Sequence, residues 1–160
     1  MTCCFFGHRD CPDLFADLLN LLENLVVNEG VTRFYVGGQG GFDYMVQTSL
    51  AALQNTYPEI VCLEVLAYMP GQKEDFQIPK KLETIYPDGL ENTPRKFAID
   101  RRNRWMVEQS EVVICFVKHP YSGAFKFVEM ARRKGKKIIN LADTTAGSPE
   151  SENDTQAERK

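Results

Sequence analysis

Short apolar runs alternate along this chain with longer stretches whose apolar residues recur at helical spacing. Residues 3–6 form a brief run of high β propensity and predict a buried first strand. Behind it, Leu14, Leu18, Leu21, Leu22, Leu25 and Val26 predict a helix starting near Pro12, capped by Asp10, with Asp13 in its first turn and Gly30 closing it. Residues 33–36 predict a second strand. Met45, Val46, Leu50 and Leu53 then form the inner stripe of a helix over about residues 42–56, stopped by Pro58. Residues 60–68 are almost unbroken apolar, as in a parallel strand covered on both faces. Helical pattern returns over residues 95–109. A strand at 112–117, a helix at about 122–134 and a last strand at 137–141 follow. Alternating strands and helices predict an α/β fold: a Rossmann-like, doubly wound, mainly parallel sheet in three layers with right-handed crossovers.

Two stretches break the alternation. Residues 69–94 hold four of the eight prolines (Pro70, Pro79, Pro87, Pro94) and read as a lid or binding loop in which Ile85 and Tyr86 form one short strand. After Ala142 the chain is almost devoid of apolar residues, so residues 1–142 are expected to form the domain and 143–160 a disordered polar tail.

Three of the predicted strands run into glycine-bearing polar loops, each followed by a helix. The first is Gly7-His8-Arg9-Asp10. The second is Gly37-Gly38-Gln39-Gly40-Gly41-Phe42-Asp43, and the third runs from Lys118 to Gly123. Glycine lets the backbone approach an anion and a helix start presents unpaired N–H groups, so strand, loop and helix together suit a phosphate. In a doubly wound sheet such loops gather beyond the carboxyl ends of the strands, where strand order reverses. The second loop lacks both the dinucleotide fingerprint and a Walker Lys-Ser/Thr pair. Arg9 has the forked geometry for phosphate, His8 titrates near neutral pH, and Ser122 with Gly123 opens a helix. Asn103 lies near an apolar helical stripe with Ile99, Met106 and Val107, and Arg102 sits at its edge, so the amide faces the interior or a pocket. Glu64, Glu108, Glu111 and Glu129 read as surface or helix-end charges.

Composition narrows the partners. The 160 residues carry a net charge of −3, which disfavours duplex nucleic acid, and no apolar run reaches the length of a membrane span. Five cysteines, most of them in apolar strands, read as buried thiols of a reducing, cytoplasmic compartment. Cys4, His8 and Cys11 have nearly metal-like spacing but lack a local fourth ligand, so neither a metal nor a cofactor is expected.

Taken in order, Phe5-Phe6-Gly7-His8-Arg9, the stretch from Phe34 to Asp43, Arg102-Asn103-Arg104-Trp105-Met106-Val107 running into Ser110, Val113-Ile114, Ser122-Gly123 and Ala131 resemble the YpsA-like branch of the SLOG superfamily. That superfamily also holds the LOG phosphoribohydrolases and the SLOG domain of DprA. The resemblance covers about residues 2–141 and implies a Rossmann-like fold that binds nucleotides or molecules derived from them. LOG enzymes cleave the N-glycosidic bond of nucleoside 5′-monophosphates with an arginine, matched by Arg102, and a glutamate just after the loop that Ser122-Gly123 matches. Phe125, Lys126 and Phe127 stand where that glutamate is required.

The expectation is therefore a module that senses or sequesters a nucleotide-derived small molecule. Its ligand set is Gly7, His8, Arg9, Gly37, Gly38, Gly40, Gly41, Asp43, Arg102, Asn103, Ser122 and Gly123. Arg9 and Arg102 hold phosphate, and Asp43 holds a ribose hydroxyl or caps its helix. A nucleotide hydrolase is the alternative, with Asp43, Arg102 or Glu129 as catalytic candidates, and a protein-interaction scaffold is a third reading. DprA-type binding of single-stranded DNA is set aside on the acidic balance and the lack of an aromatic and basic stripe. A homo-oligomer is expected only from how often Rossmann-like proteins dimerise.

Overall fold

The computed structural model describes residues 1–69 and 81–145, and all six of its strands lie in one parallel sheet. In chain order these are β1 (Thr2–Gly7), β2 (Arg33–Val36), β3 (Val61–Val65), β4 (Glu83–Ile85), β5 (Val112–Phe116) and β6 (Lys137–Asn140). Their spatial order is β4-β3-β2-β1-β5-β6. The chain therefore builds outward from β1 to β4, returns, and adds β5 and β6 on the other side. That reversal between β1 and β5 is the switch point at which such sheets bind ligands.

The helices are α1 (Phe15–Asn28), α2 (Gly40–Thr56), α3 (Ala98–Gln109), α4 (Gly123–Arg133) and α5 (Leu141–Thr145). β1 is buried on both sides, and its side chains alternate between two cores as strand geometry requires. Cys3 and Phe5 join Leu18, Leu22, Leu25, Val46 and Leu50 of α1 and α2. Cys4 and Phe6 join Met106, Val107, Phe127 and Val128 of α3 and α4. This is the three-layer arrangement that the alternating pattern implies.

Several boundaries differ from expectation for local reasons. Helix α1 begins three residues after Pro12, because the Asp13 carboxylate accepts the Phe15 N–H at 3.0 Å, so Asp13 and not Asp10 bonds to its first turn. Helix α2 begins at Gly40, two residues early, so its first turn contains two of the loop glycines. The run at 60–68 yields only five strand residues, with Leu66 N–H bonded to the Ile85 carbonyl of β4. Within the expected lid, residues 81–94 hold β4 and a 3₁₀ turn at Leu90–Asn92, while 70–80 lie outside the described residues. A second 3₁₀ turn, Arg95–Phe97, leads into α3. Residues 143–145 of the expected tail complete α5, and the rest of the tail lies outside the described residues.

Candidate functional site

A cleft of about 360 Å³ opens at the switch point, and it draws on all three glycine loops. Gly7, His8 and Arg9 enter from the end of β1, Gly37 from the β2–α2 connection, Asp43 from the first turn of α2, Arg102 and Asn103 from α3, and Ser122 and Gly123 from the start of α4. Gln39, Ile99, Ala124 and the buried Phe5 and Phe6 complete the lining. Its volume falls in the range of small-molecule pockets, roughly 300–1,000 Å³.

The second loop is not the open cradle its four glycines suggest. Gly41 N–H donates to the Arg9 carbonyl at 2.8 Å, and Gln39 N–H donates to Asp43 Oδ2 at 2.9 Å, so two of its amides already bond within the protein. Gly40 has φ +87°, and a Cβ there would lie 2.9 Å from Arg9 Cα. Gly38 backs onto the Glu64 carboxylate. Gly38, Gly40 and Gly41 thus shape and latch the loop and do not line the cleft. Gly37 does line it, with Asp43 Oδ2 and Arg102 Cζ within 2.8 and 3.1 Å of where its Cβ would stand. Any larger residue would push this pair apart.

Beneath the loop is a buried charge group. Arg102 is 2% exposed, Glu64 8% and Asp43 9%. Arg102 donates from Nη1 to the Val65 carbonyl at 2.8 Å and from Nε to Asn103 Oδ1 at 2.7 Å. Two of its three nitrogens therefore brace β3 and Asn103. Burial lowers the Arg102 pKa, against the pull of the Asp43 and Glu64 charges. Burial also raises the Asp43 carboxyl from 3.8 to about 6; Glu64 adds to the rise, while the Gln39 N–H and Arg102 oppose it. A carboxyl of this kind exchanges a proton close to neutral pH. Glu64 corrects the reading of that residue as a surface charge. The signal was its place in an almost unbroken apolar run, on the face of β3 that it shares with the buried Cys62.

The third loop is pinned to the first. His8 N–H donates to the Phe116 carbonyl at 3.2 Å, and His8 Nε2 accepts the Lys118 N–H at 2.8 Å, which leaves the neutral ring its proton on Nδ1. The imidazole stacks on His119 at 5.5 Å. Burial, then His119 and Lys118, lower its pKa. Ser122 caps α4: its Oγ accepts from Phe125 N–H at 3.2 Å and donates to the His119 carbonyl at 3.1 Å. Gly123 and Ala124 bring the first turn of α4 to the cleft wall. Arg9 lines the same cleft and is exposed, and among the described residues no carboxylate pairs with it. A cation and a helix start that share one cleft are groups that attract an anion. Glu129 is placed elsewhere: it pairs with Arg132 on the outer side of α4 and does not line the cleft.

No family model matches the chain, and no curated protein matches its sequence. In fold the chain is similar to DNA processing protein A (DprA) from Streptococcus pneumoniae, with a TM-score of 0.60 and 21% identity over 86% of this chain and 48% of that one. It is also similar to DprA from Helicobacter pylori, with a TM-score of 0.57 and 17% identity over 86% of this chain and 63% of that one. The chain spans about half to under two thirds of the length of these proteins. At these identities the likeness shows the fold alone, a Rossmann-like α/β sheet, and distinguishes no branch of a superfamily. It also corrects the expected partner. The H. pylori protein is described by its single-stranded DNA binding mode, so this fold is not confined to small-molecule partners, and the acidic balance of the chain is no ground for restricting it to them. Among the described residues no helix is long and apolar enough to cross a membrane.

Proposed function

We propose that the cleft binds one nucleotide unit carrying a 5′-phosphate and a free 3′-hydroxyl, either as a free nucleotide or as the 3′ end of a single strand. The observation that carries this reading is the convergence of Arg9, the first turn of α4 and the buried Asp43–Arg102–Asn103 group on one cleft at the switch point. Arg9 and the α4 amides at Gly123 and Ala124 take the phosphate by charge and N–H donation. The Asp43 carboxylate and the Asn103 amide take the sugar hydroxyls. Gly7, His8, Gly37 and Ser122 position these groups, and Arg102 fixes the floor. Within the superfamily, the ordered motif set favours the YpsA-like branch.

Calorimetry on the full chain at low salt tests this with three probes: inorganic phosphate, nucleoside 5′-monophosphates and a short oligothymidylate with a free 3′ end. Arg9→Ala is expected to weaken every probe at least tenfold, in line with the roughly 1.5–3 kcal/mol of a charged hydrogen bond. Absence of heat with all three probes at millimolar concentration refutes the reading. The relative affinity of monophosphate and oligonucleotide identifies the source of the nucleotide.

One observation favours a second reading, a nucleotide hydrolase: a carboxyl near pKa 6 at the bottom of a cleft is suited to general acid or base catalysis. Release of free base from nucleoside monophosphates, abolished by Asp43→Asn, supports it. Unchanged release in that variant removes it.

A further inference from the structure

The polar side of the cleft accounts for a phosphate and a sugar, and among the described residues its aromatic rings are already engaged, His8 being stacked on His119 at 5.5 Å. Phe5 and Phe6 reach the cleft from a buried strand, and their rings are occupied, stacked on Phe34 at 6.2 Å and Phe127 at 5.5 Å. Trp105 leans on Tyr35 at 5.1 Å, and Phe97 lines a separate groove at the start of α3 with Lys96 over its ring. Tyr121 differs from all of these. It is 96% exposed and immediately precedes Ser122, the cap of the helix whose first turn forms the cleft wall. A tyrosine held this far into water leaves both ring faces open.

The loop that carries it is anchored around it. Lys118 N–H bonds to His8, the His119 ring stacks on His8, and Ser122 bonds to the His119 carbonyl through both its N–H, at 3.3 Å, and its Oγ. Tyr121, the neighbour in sequence of the cleft-lining Ser122, is thus mounted on a backbone fixed at both ends, which lowers the ordering cost of stacking a ligand on it.

We infer that Tyr121 is the stacking residue for the base of the bound nucleotide. This rests on the nucleotide reading above and deepens it. In a 5′-nucleotide the base and the 5′-carbon leave the same face of the sugar ring. When the hydroxyl edge is lowered to Asp43 and Asn103, the phosphate and the base therefore both rise toward the rim. There the start of α4 meets the phosphate and Tyr121 meets the base. Every base has a π face, so this contact favours nucleotides over sugar phosphates without choosing sharply among bases, and purines gain more than pyrimidines through their larger area.

Titration calorimetry on the full chain with ribose 5-phosphate, adenosine 5′-monophosphate and uridine 5′-monophosphate tests the inference. The wild-type chain is expected to bind the nucleotides more tightly than the sugar phosphate. Tyr121→Ala weakens the adenine nucleotide roughly five- to hundredfold and ribose 5-phosphate by less than about twofold, and Tyr121→Phe keeps wild-type affinity for both. Unchanged nucleotide affinity in Tyr121→Ala overturns the inference, and so does an equal loss for all three ligands, which marks a disturbed α4 start and not a lost stack. If ribose 5-phosphate, the nucleotides and a short oligothymidylate with a free 3′ end all fail to bind the wild-type chain, the nucleotide reading falls and this inference with it. If all bind and the substitution is silent, only the role of Tyr121 falls.

Discussion

Replacing Asp43 with asparagine separates burial from pairing as the force acting on this carboxyl. Burial holds its pKa at about 6 in the folded chain, against an ordinary 3.8. The native state therefore binds a proton more tightly than the unfolded state. The stability that this proton brings is fully present below about pH 3.8 and is lost as pH rises through about 6, with a full span of about 3 kcal/mol. Between about pH 4.5 and about pH 7.5 the share lost is about 2 kcal/mol. Asparagine does not titrate, and its amide oxygen can still accept the Gln39 N–H. The variant is thus expected to gain on the wild-type chain by about 2 kcal/mol from the acid to the neutral end of that range, whatever its absolute stability. Urea unfolding of both chains, followed by circular dichroism at half-unit steps of pH, measures the difference as a relative midpoint shift of about 1 M. Stability curves that stay parallel refute the reasoning. Curves in which the wild-type chain gains toward neutral pH show that the Arg102 charge, and not burial, governs the group.

Three further outcomes follow from the same geometry. Gly7→Ala drives a Cβ into the fully buried Phe42 ring, so it is expected to cost about 1–3 kcal/mol and to lower the thermal midpoint by about 3–10 °C, with partial recovery in the Gly7→Ala/Phe42→Leu double variant; an unchanged midpoint by calorimetry contradicts the packing described. Arg102→Met leaves two buried carboxylates without their cation and is expected to destabilise the chain by about 3–5 kcal/mol at neutral pH, with part of the loss recovered at acidic pH as Asp43 takes up a proton; a loss independent of pH in chemical denaturation argues against the charge group. His8 titrates below 6.5 because the fold favours its neutral ring, so its contribution to stability is present above 6.5 and lost as pH falls through the lower folded value; a histidine NMR titration in which His8 shows a normal or raised midpoint refutes the hydrogen bond to Lys118.

The sheet was legible because its strands are short apolar runs between strong breakers. Arg33–Val36 lies between a polar turn and a glycine pair and was read to the residue. The helices were legible by their inner stripes, and their starts were less so, because the first-turn partner is chosen by geometry: Asp13 and not Asp10 takes the Phe15 N–H. Helix α5 was missed because Asp143, Thr144 and Thr145 look like the polar tail that follows them. At the site, the meeting of the loops followed from the topology. The roles of individual side chains did not, because they depend on packing between distant elements. Arg102 looks like a phosphate ligand on α3 until β3 offers it a carbonyl, and Glu64 looks like a surface acid until the fold buries it behind the Gly38 loop. The glycine quartet reads as a row of open amides, whereas Arg9 and Asp43 occupy two of them.

The central place of β1 has a consequence for how the chain reaches this state. Its pairing with β5 joins Cys3 to Val112, and the adjoining Thr2 N–H bonds to Glu111 across a sequence separation of 109 residues. Closing a loop of that length costs about 4 kcal/mol of chain entropy before the contacts it permits are made. The wall at the end of β1 is synthesised well before the wall at the start of α4, so no partial chain that stops short of α4 holds the complete cleft. Refolding is expected to be slow for a domain of this size, with ligand affinity appearing in the last kinetic phase.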